Sequence, residues 1–389
     1  ISMYLIPKEP LPEYYLMLFV VGFHHDYGNV FQILQSTEKQ CLAKELLAAW
    51  KCASTPGFKV IKGMKRIEAD KDLRKKLILV KGLLHKCDYS ASGNTEIEYP
   101  NDFLTDKLES FFQKNHYELN EMQQFCRNHE SEDIMLVGQT GMGKTEAALL
   151  WIGDHKGFIL LPVKTAINKM YDRIREDILE GDESNSEKRI GLLHSDAIPK
   201  LLENYANEKP DYTEMDVIEY NRQSRQLAMP ITVSTIDQLF DFIFKYQTYD
   251  LKLATLSYSK VVIDEIQMYG ADLLADLIFG LRMIRELGGK AAITTATLAP
   301  FVKDLIEKEV GKFTYGVFCN KEQVRHKVKM IPAKINAEDV VQKFRQCSAV
   351  ESLPEIDDGH KAASSAKGGK ILVICNTIQK AQLMYHTIC

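Results

Sequence analysis

The stretch Ile134-Met135-Leu136-Val137-Gly138-Gln139-Thr140-Gly141-Met142-Gly143-Lys144-Thr145 decides the fold class, together with Glu146-Ala147-Ala148-Leu149-Leu150-Trp151 after it. The first four residues are apolar and read as a buried strand, and the last six open a helix. Strand, glycine loop, Lys-Thr and helix in that order are the context a phosphate-binding loop requires; the plainer reading is a strand-to-helix turn that happens to match. The glycines let backbone N–H groups turn inward around an anion, and the new helix points its positive end at it. Lys144 is placed to reach the outer phosphates of a nucleotide, and the Thr145 hydroxyl to ligate magnesium.

From Ile134 onward strands and helices alternate, the mark of a parallel sheet covered by helices on both faces. Strands are expected at Phe158-Ile159-Leu160-Leu161, at 189–194, at Ile231-Thr232-Val233-Ser234, at Lys260-Val261-Val262-Ile263 and at Ala291-Ala292-Ile293-Thr294. Helices are expected at 164–178 and 271–287, and 195–229 reads as a polar, mostly helical insertion. Ligands of such sheets bind at the carboxyl ends of strands, where Thr235, Asp264-Glu265 and Thr295-Ala296-Thr297 all fall. Asp264 suits a magnesium ligand, direct or through water, and Glu265 suits orientation and deprotonation of an attacking water. Thr295 and Thr297 suit a sensor of phosphate hydrolysis, although a Thr-rich strand end is ordinary in itself. Gln123, upstream of the loop, has the donor and acceptor to read an adenine edge; a surface helix glutamine is the plainer reading.

Upstream, 1–93 reads as mostly helical, with helical spacing at 41–50 and 73–84. His24-His25-Asp26 ends the first apolar run, and His85 and Asp88 share a helix face. Adjacent His and Asp can hold one metal ion, and Asp88 can complete a site with His25 and Asp26. The same residues serve equally as a polar helix end with a capping Asp26, and as a helix terminated by Asp88 and Ser90. Residues 94–118 are polar and read as a linker with a short helix at 106–113. After Phe318 the pattern resets: 325–331 is a basic strand candidate, 337–346 a helix, and Lys370-Ile371-Leu372-Val373-Ile374-Cys375 a strand followed by Asn376-Thr377 and another helix.

The 389 residues are long enough for two or three domains. A formal net charge of −4 gives no global nucleic-acid signature, so such binding requires a local groove. Eight cysteines without a CxxC pair suggest reduced thiols of a cytoplasmic protein. The apolar run Tyr14–Phe23 is too short to span a bilayer. The chain opens on Ile1 and stops just after a strand–helix pattern, so it reads as part of a longer protein.

Taken in order, Gln123, GQTGMGKT, LPVKTA, STIDQ, DEIQ, TAT and ICNT resemble the motif series of superfamily two helicases. The preceding HHDYGN and HKCDYSAS resemble an HD-type metal-dependent nuclease domain. An HD domain ahead of such a helicase resembles the CRISPR-associated helicase–nuclease of type I interference systems, and DEIQ in place of the commoner DE-x-H fits that family. The resemblance implies an α/β protein: an all-α HD-type domain at 1–93, a linker at 94–118, a first RecA-like lobe at 119–318 and the start of a second at 319–389. It implies adenine recognition by Gln123, phosphate binding by Gly138, Thr140, Gly141, Gly143, Lys144 and Thr145, magnesium and water activation by Asp264 and Glu265, and coupling by Thr295 and Thr297. Thr165, Thr235, Asn376 and Thr377 would lie along a DNA path. His25, Asp26 and Asp88 would hold a divalent transition metal, with His25 and Asp26 in nuclease catalysis. Before Asp88 the sequence offers only His24, His25 and His85, a thin set for a two-metal nuclease.

The activity implied is ATP-dependent translocation on single-stranded DNA with attached metal-dependent cleavage, in antiviral defence. ATP and Mg2+ are the implied cofactors. The expected partners are single-stranded DNA and an RNA-guided surveillance complex, with no membrane and a monomeric chain. The arginine-bearing motifs of the second lobe are missing, so these residues are expected to bind ATP and hydrolyse it poorly. Alternative readings are the motor subunit of a restriction system and a nucleotide-dependent binding module without catalysis.

Overall fold

In the computed structural model, strand Ile134–Gly138 (β1) lies inside a seven-stranded sheet. The structure describes residues 14–24, 70–180, 186–208, 214–319, 335–349 and 373–388, with scattered positions between 36 and 48. Chain contacts divide it into one unit from Ile1 to Asn320 and another from Lys321 to Cys389.

In the first unit the further strands are Gly157–Leu160 (β2), Ile190–Leu193 (β3), Ile231–Ser234 (β4), Lys260–Asp264 (β5), Lys290–Thr295 (β6) and Thr314–Phe318 (β7). Their order is β3-β4-β2-β5-β6-β1-β7, and every pairing is parallel. The central strands are apolar at almost every position because both faces of the sheet are covered. Alternate side chains enter different cores. Ile134, Leu136, Ile159, Val262 and Ala292 join one, and Met135, Phe158, Leu160, Val261, Ile263, Ala291 and Ile293 join the other. The register sets Val137 beside Thr295 and Asp264 beside Thr294, so the ends of β1, β6 and β5 share one edge.

Two stretches expected to be helical are helices and also join the core, and one strand was not expected. Residues 195–229 are the crossover between β3 and β4: helices Ala197–Glu208 and Glu214–Arg225 place Ala197, Leu201, Val217 and Tyr220 in the core. The short helix expected at 106–113 runs over Leu104–Lys114, and Leu104, Leu108 and Phe112, at helical spacing, bury against the first core. Strand β7 has no sequence counterpart among the expectations. Among the described residues it pairs only with β1 at the sheet edge, and its mixed burial hides it from an apolar-run reading.

The N-terminal residues supply helix Tyr14–Phe23 and helix Lys71–Gly93. The second is one continuous helix through the stretch 85–92. Asp70 caps its start, accepting from the Asp72 and Leu73 N–H groups at 2.9 and 3.2 Å. Asn94, in the left-handed conformation with φ 50°, ends it. Asp88 therefore sits inside the helix and does not terminate it. Helix Lys71–Gly93 packs on helix Tyr249–Leu256 at Gly82, where an added Cβ would stand 2.1 Å from the Asp250 carbonyl oxygen. No helix among the described residues is long and apolar enough to cross a membrane.

In the second unit the described elements are helices Ala337–Ala349 and Ile378–Ile388, as the helical spacing predicts. The strand expected at 370–375 is not found at Val373-Ile374-Cys375, which have no regular structure and no partner strand among the described residues. The candidate at 325–331 lies outside the described residues.

Candidate nucleotide site

Gly141 and Gly143 take φ of +80° and +77°, which side chains other than glycine rarely adopt, and so turn the loop between β1 and helix Lys144–Ile152. A Cβ on Gly143 would meet Gln123 Nε2 at 2.5 Å, and one on Gly138 would meet Met122 Sδ at 2.6 Å. The loop therefore follows a path that helix Glu121–Asn128 leaves open only to glycine.

That helix also positions Gln123. Asn120 and Gln123 form a capping box: the Gln123 N–H donates to Asn120 Oδ1 at 3.0 Å, and the Asn120 N–H donates to Gln123 Oε1 at 3.1 Å. Gln123 Nε2 reaches the Gly143 carbonyl at 3.5 Å, and Asn120 Nδ2 donates to the Met142 carbonyl at 2.8 Å. Gln123 thus braces the loop through atoms that could also read a base.

Lys144 Nζ donates to Glu265 Oε1 at 2.9 Å, joining the end of β1 to the end of β5. Glu265 itself has φ +51°, a left-handed conformation unusual for glutamate. Its N–H donates to the Thr294 carbonyl at 2.9 Å and to Asp264 Oδ1 at 3.0 Å. Thr294 Oγ1 donates to the same Asp264 oxygen at 2.6 Å. Gln267 Nε2 donates to Glu265 Oε2, and Thr295 Oγ1 donates to Gln267 Oε1. Thr295 Oγ1 lies 2.7 Å from the Thr297 carbonyl and accepts from the Thr297 N–H at 3.2 Å. One hydrogen-bonded path therefore runs from the phosphate loop through Glu265 and Gln267 to Thr295 and Thr297.

The two acids are driven apart. Burial pushes the Asp264 carboxyl above the usual range; the Thr294 hydrogen bond opposes this and the Glu265 charge adds to it. Burial also pushes Glu265 up, but bonds from Lys144 and Gln267 outweigh it and leave Glu265 below the usual range. A cavity of about 560 Å3 opens beside the loop, with Lys144 and Asp264 in its wall. Its lining includes Gln123, Gly141, Gly143, Lys144, Thr145 and Asp264, with Glu146 and Arg173. The donor set fits magnesium: the hydroxyl of Thr145 and a buried carboxylate are hard oxygen ligands, and a cation would stabilise the ionised form of Asp264 that burial disfavours.

Other expected residues scatter. Thr140 is exposed on the loop. Thr165 is exposed at the start of helix Lys164–Arg173, at the carboxyl end of β2. Thr235 is buried at the end of β4, with its N–H on the Leu193 carbonyl at 3.2 Å. Asn376 and Thr377 belong to the second unit, where Thr377 Oγ1 accepts from the Lys380 N–H at 3.3 Å and caps the last helix. His25 and Asp26 lie outside the described residues. Asp88 is half-buried on helix Lys71–Gly93. Among the described residues no group of three or more His, Cys, Asp or Glu is placed to hold a metal. The neighbouring His85 turns to the sheet unit: Nδ1 lies 3.2 Å from Asp250 Oδ1, and Nε2 meets the His24 carbonyl.

Two residues escaped the motif reading. Glu146 is buried, and its Oε1 pairs with Arg173 Nη2; Arg173 Nη1 lies 3.4 Å from Thr145 Oγ1. A charged residue at the head of an apolar helix, Glu146-Ala147-Ala148-Leu149-Leu150, was the available signal.

The DEAD/DEAH box helicase family matches residues 120–305. Among curated proteins, the CRISPR-associated nuclease/helicase Cas3 of Methanothermobacter thermautotrophicus is 27% identical over 59% of this chain and 27% of its own length. A putative CRISPR-associated nuclease/helicase Cas3 of Methanocaldococcus jannaschii is 25% identical over 76% of this chain and 39% of its own. The CRISPR-associated endonuclease/helicase Cas3 of Thermus thermophilus is 27% identical over 66% and 29%. The chain thus spans 27–39% of the length of these relatives. The solved DUF1998 helicase MrfA shares the fold, with a TM-score of 0.51 and 16% identity over 73% of this chain and 40% of that one. Phosphate loop, acid pair and Thr295–Thr297 converge within the matched span, over which the chain is similar to DEAD/DEAH box helicases and to these Cas3 proteins.

Proposed function

We propose that this chain supplies the first lobe of an ATP-driven motor on single-stranded DNA, joined to a metal-dependent nuclease segment and recruited by an RNA-guided surveillance complex in CRISPR defence. The observation that carries the motor reading is the convergence of Lys144, Asp264, Glu265 and Thr295 at the carboxyl ends of three adjacent strands. ATP supplies the phosphoanhydride, and magnesium would screen its charge from Thr145 and Asp264. Lys144, paired with Glu265 in this structure, would turn to the outer phosphates. Glu265 Oε1, released from Lys144, would then accept a proton from water. Gln267 and Thr295 would carry the rearrangement at Glu265 towards Thr297.

The assignments follow the same reading: residues 119–318 as the first RecA-like lobe, 319–389 as the start of the second, 94–118 joining them to an HD-type segment at 1–93. Thr165, Thr235, Asn376 and Thr377 are assigned to the DNA path, with phosphate contacts from hydroxyls and backbone that need no basic surface. His25, Asp26 and Asp88 are assigned to a divalent transition metal, on the sequence resemblance. ATP turnover of the full-length protein tests the motor: single-stranded DNA stimulates it, and Lys144→Ala abolishes it. Equal turnover with and without DNA removes the translocase reading. Cleavage that persists unchanged in Asp26→Ala removes the HD segment as its source.

A further inference from the structure

We propose that Arg173 is a positioning residue for the nucleotide phosphates and acts through Glu146. The inference rests on the nucleotide reading of the site. Glu146 follows Thr145 directly, and its side chain is 5% exposed. A Cβ on Gly143 would stand 3.1 Å from Glu146 Oε2, so this carboxylate lies against the loop that is to hold an anion. Unopposed, its charge would repel the phosphates that Lys144 and the loop N–H groups attract.

Arg173 supplies the opposing charge from another element. It is the last residue of helix Lys164–Arg173, 27 positions further along the chain. Its Nη2 pairs with Glu146 Oε1, its Nη1 lies 3.4 Å from Thr145 Oγ1, and its Nε stands 4.0 Å from Asp177 Oδ2. One guanidinium thus touches the residue assigned to magnesium and the acid beside it. Immediately after Arg173 the helix passes into a π-helical turn, Ile174–Ile178, closed by the Leu179 N–H on the Ile174 carbonyl at 2.9 Å. Such turns recur at functional sites because they re-aim side chains at a local cost in backbone geometry. Thr145, Glu146 and Arg173 line the same cavity as Lys144 and Asp264. The first turn of the helix that ends in Arg173 carries Thr165, the residue assigned to the DNA path, which gives the pair a place between the two ligands.

The test is an equilibrium titration of the full chain with a fluorescent ADP and Mg2+, on variants shown to be folded by circular dichroism. Arg173→Gln weakens binding about tenfold or more, because it leaves a buried carboxylate unpaired beside the phosphates. The double variant Arg173→Gln with Glu146→Gln returns to within about threefold of the parent, and Arg173→Lys, which keeps the charge, stays in that range. Arg173→Gln binding as the parent does would overturn the proposal, and so would an Arg173→Lys as weak as Arg173→Gln. A double variant as weak as Arg173→Gln would place the guanidinium on the nucleotide itself and overturn action through Glu146. A purely structural pair would lower the melting temperature of Arg173→Gln and leave the affinity of the folded protein unchanged. Lys144→Ala in the same titration separates the two levels: if it binds as tightly as the parent, the nucleotide reading fails, whatever Arg173 does.

Discussion

Glu265 holds an unusual backbone conformation and meets Lys144, Gln267, Asp264 and the end of β6 at once. Backbone strain of this kind persists where the surroundings over-determine it. Glu265→Gln keeps the shape and removes the base, so it is expected to retain nucleotide binding while turnover falls roughly 10²–10⁴-fold, read by comparing affinity with steady-state hydrolysis. Asp264 makes a second prediction. Its carboxyl is raised by burial and lowered by the Thr294 hydroxyl, so it is protonated before an ordinary carboxylate as the pH falls. Magnesium-dependent nucleotide binding should fade as the pH drops through that raised pKa. Thr294→Val removes the lowering bond and should move the fade to higher pH; a fade that does not move would detach magnesium binding from Asp264. At this scale the sequence was readable where chemistry is local: GQTGMGKT and DEIQ sit at strand ends and announce themselves. Glu146 and Arg173 were not, because only the fold joins residues 27 positions apart.

Helix Lys71–Gly93 shows how far an element can be read. Its apolar spacing predicted a helix, yet the face it buries also carries Lys81, His85 and Lys86. They are buried because they are partnered: Lys81 Nζ and His85 Nδ1 reach Asp250 at 3.3 and 3.2 Å, and Lys86 Nζ donates to the Leu227 carbonyl at 3.0 Å. Burial alone would push Asp250 up, and His85 and Lys81 bring it below the usual range. The docking depends on Gly82 as well. Gly82→Ala should cost about 1–3 kcal/mol of unfolding free energy by overpacking against the Asp250 backbone. Leu83, 45% exposed one position along, should tolerate alanine with a change below about 0.5 kcal/mol. Denaturant midpoints of the two variants test this; equal shifts would mean that the helix is not held at Gly82.

Across the whole sheet unit, ordinary composition conceals two buried lysines besides Lys81 and Lys86. Burial lowers Lys156 to about 7 and Lys260 to about 8, from 10.5. Lys156 Nζ donates to the Met229 carbonyl at 2.9 Å, and Lys260 Nζ to the Trp151 carbonyl at 2.7 Å. Between about 7 and 10.5 the unfolded chain binds more protons at these positions than the folded one, so these groups make stability rise with pH through that window and level off below it. Unfolding at pH 7 and pH 9.5 reads the slope, and Lys156→Met should flatten it. The parallel sheet itself was legible because each central strand is a continuous apolar run; edge strand β7 and the β3–β4 crossover were not, since their burial comes from neighbours the local pattern does not contain.

The proposed motor requires a nucleotide at the carboxyl ends of β1, β5 and β6 to change the hold on DNA. The affinity of the chain for single-stranded DNA, measured with and without a non-hydrolysable ATP analogue and Mg2+, tests it most directly. Coupling between the sites predicts a change of about fivefold or more that disappears in Lys144→Ala. An affinity for DNA that is the same with and without the nucleotide would contradict it.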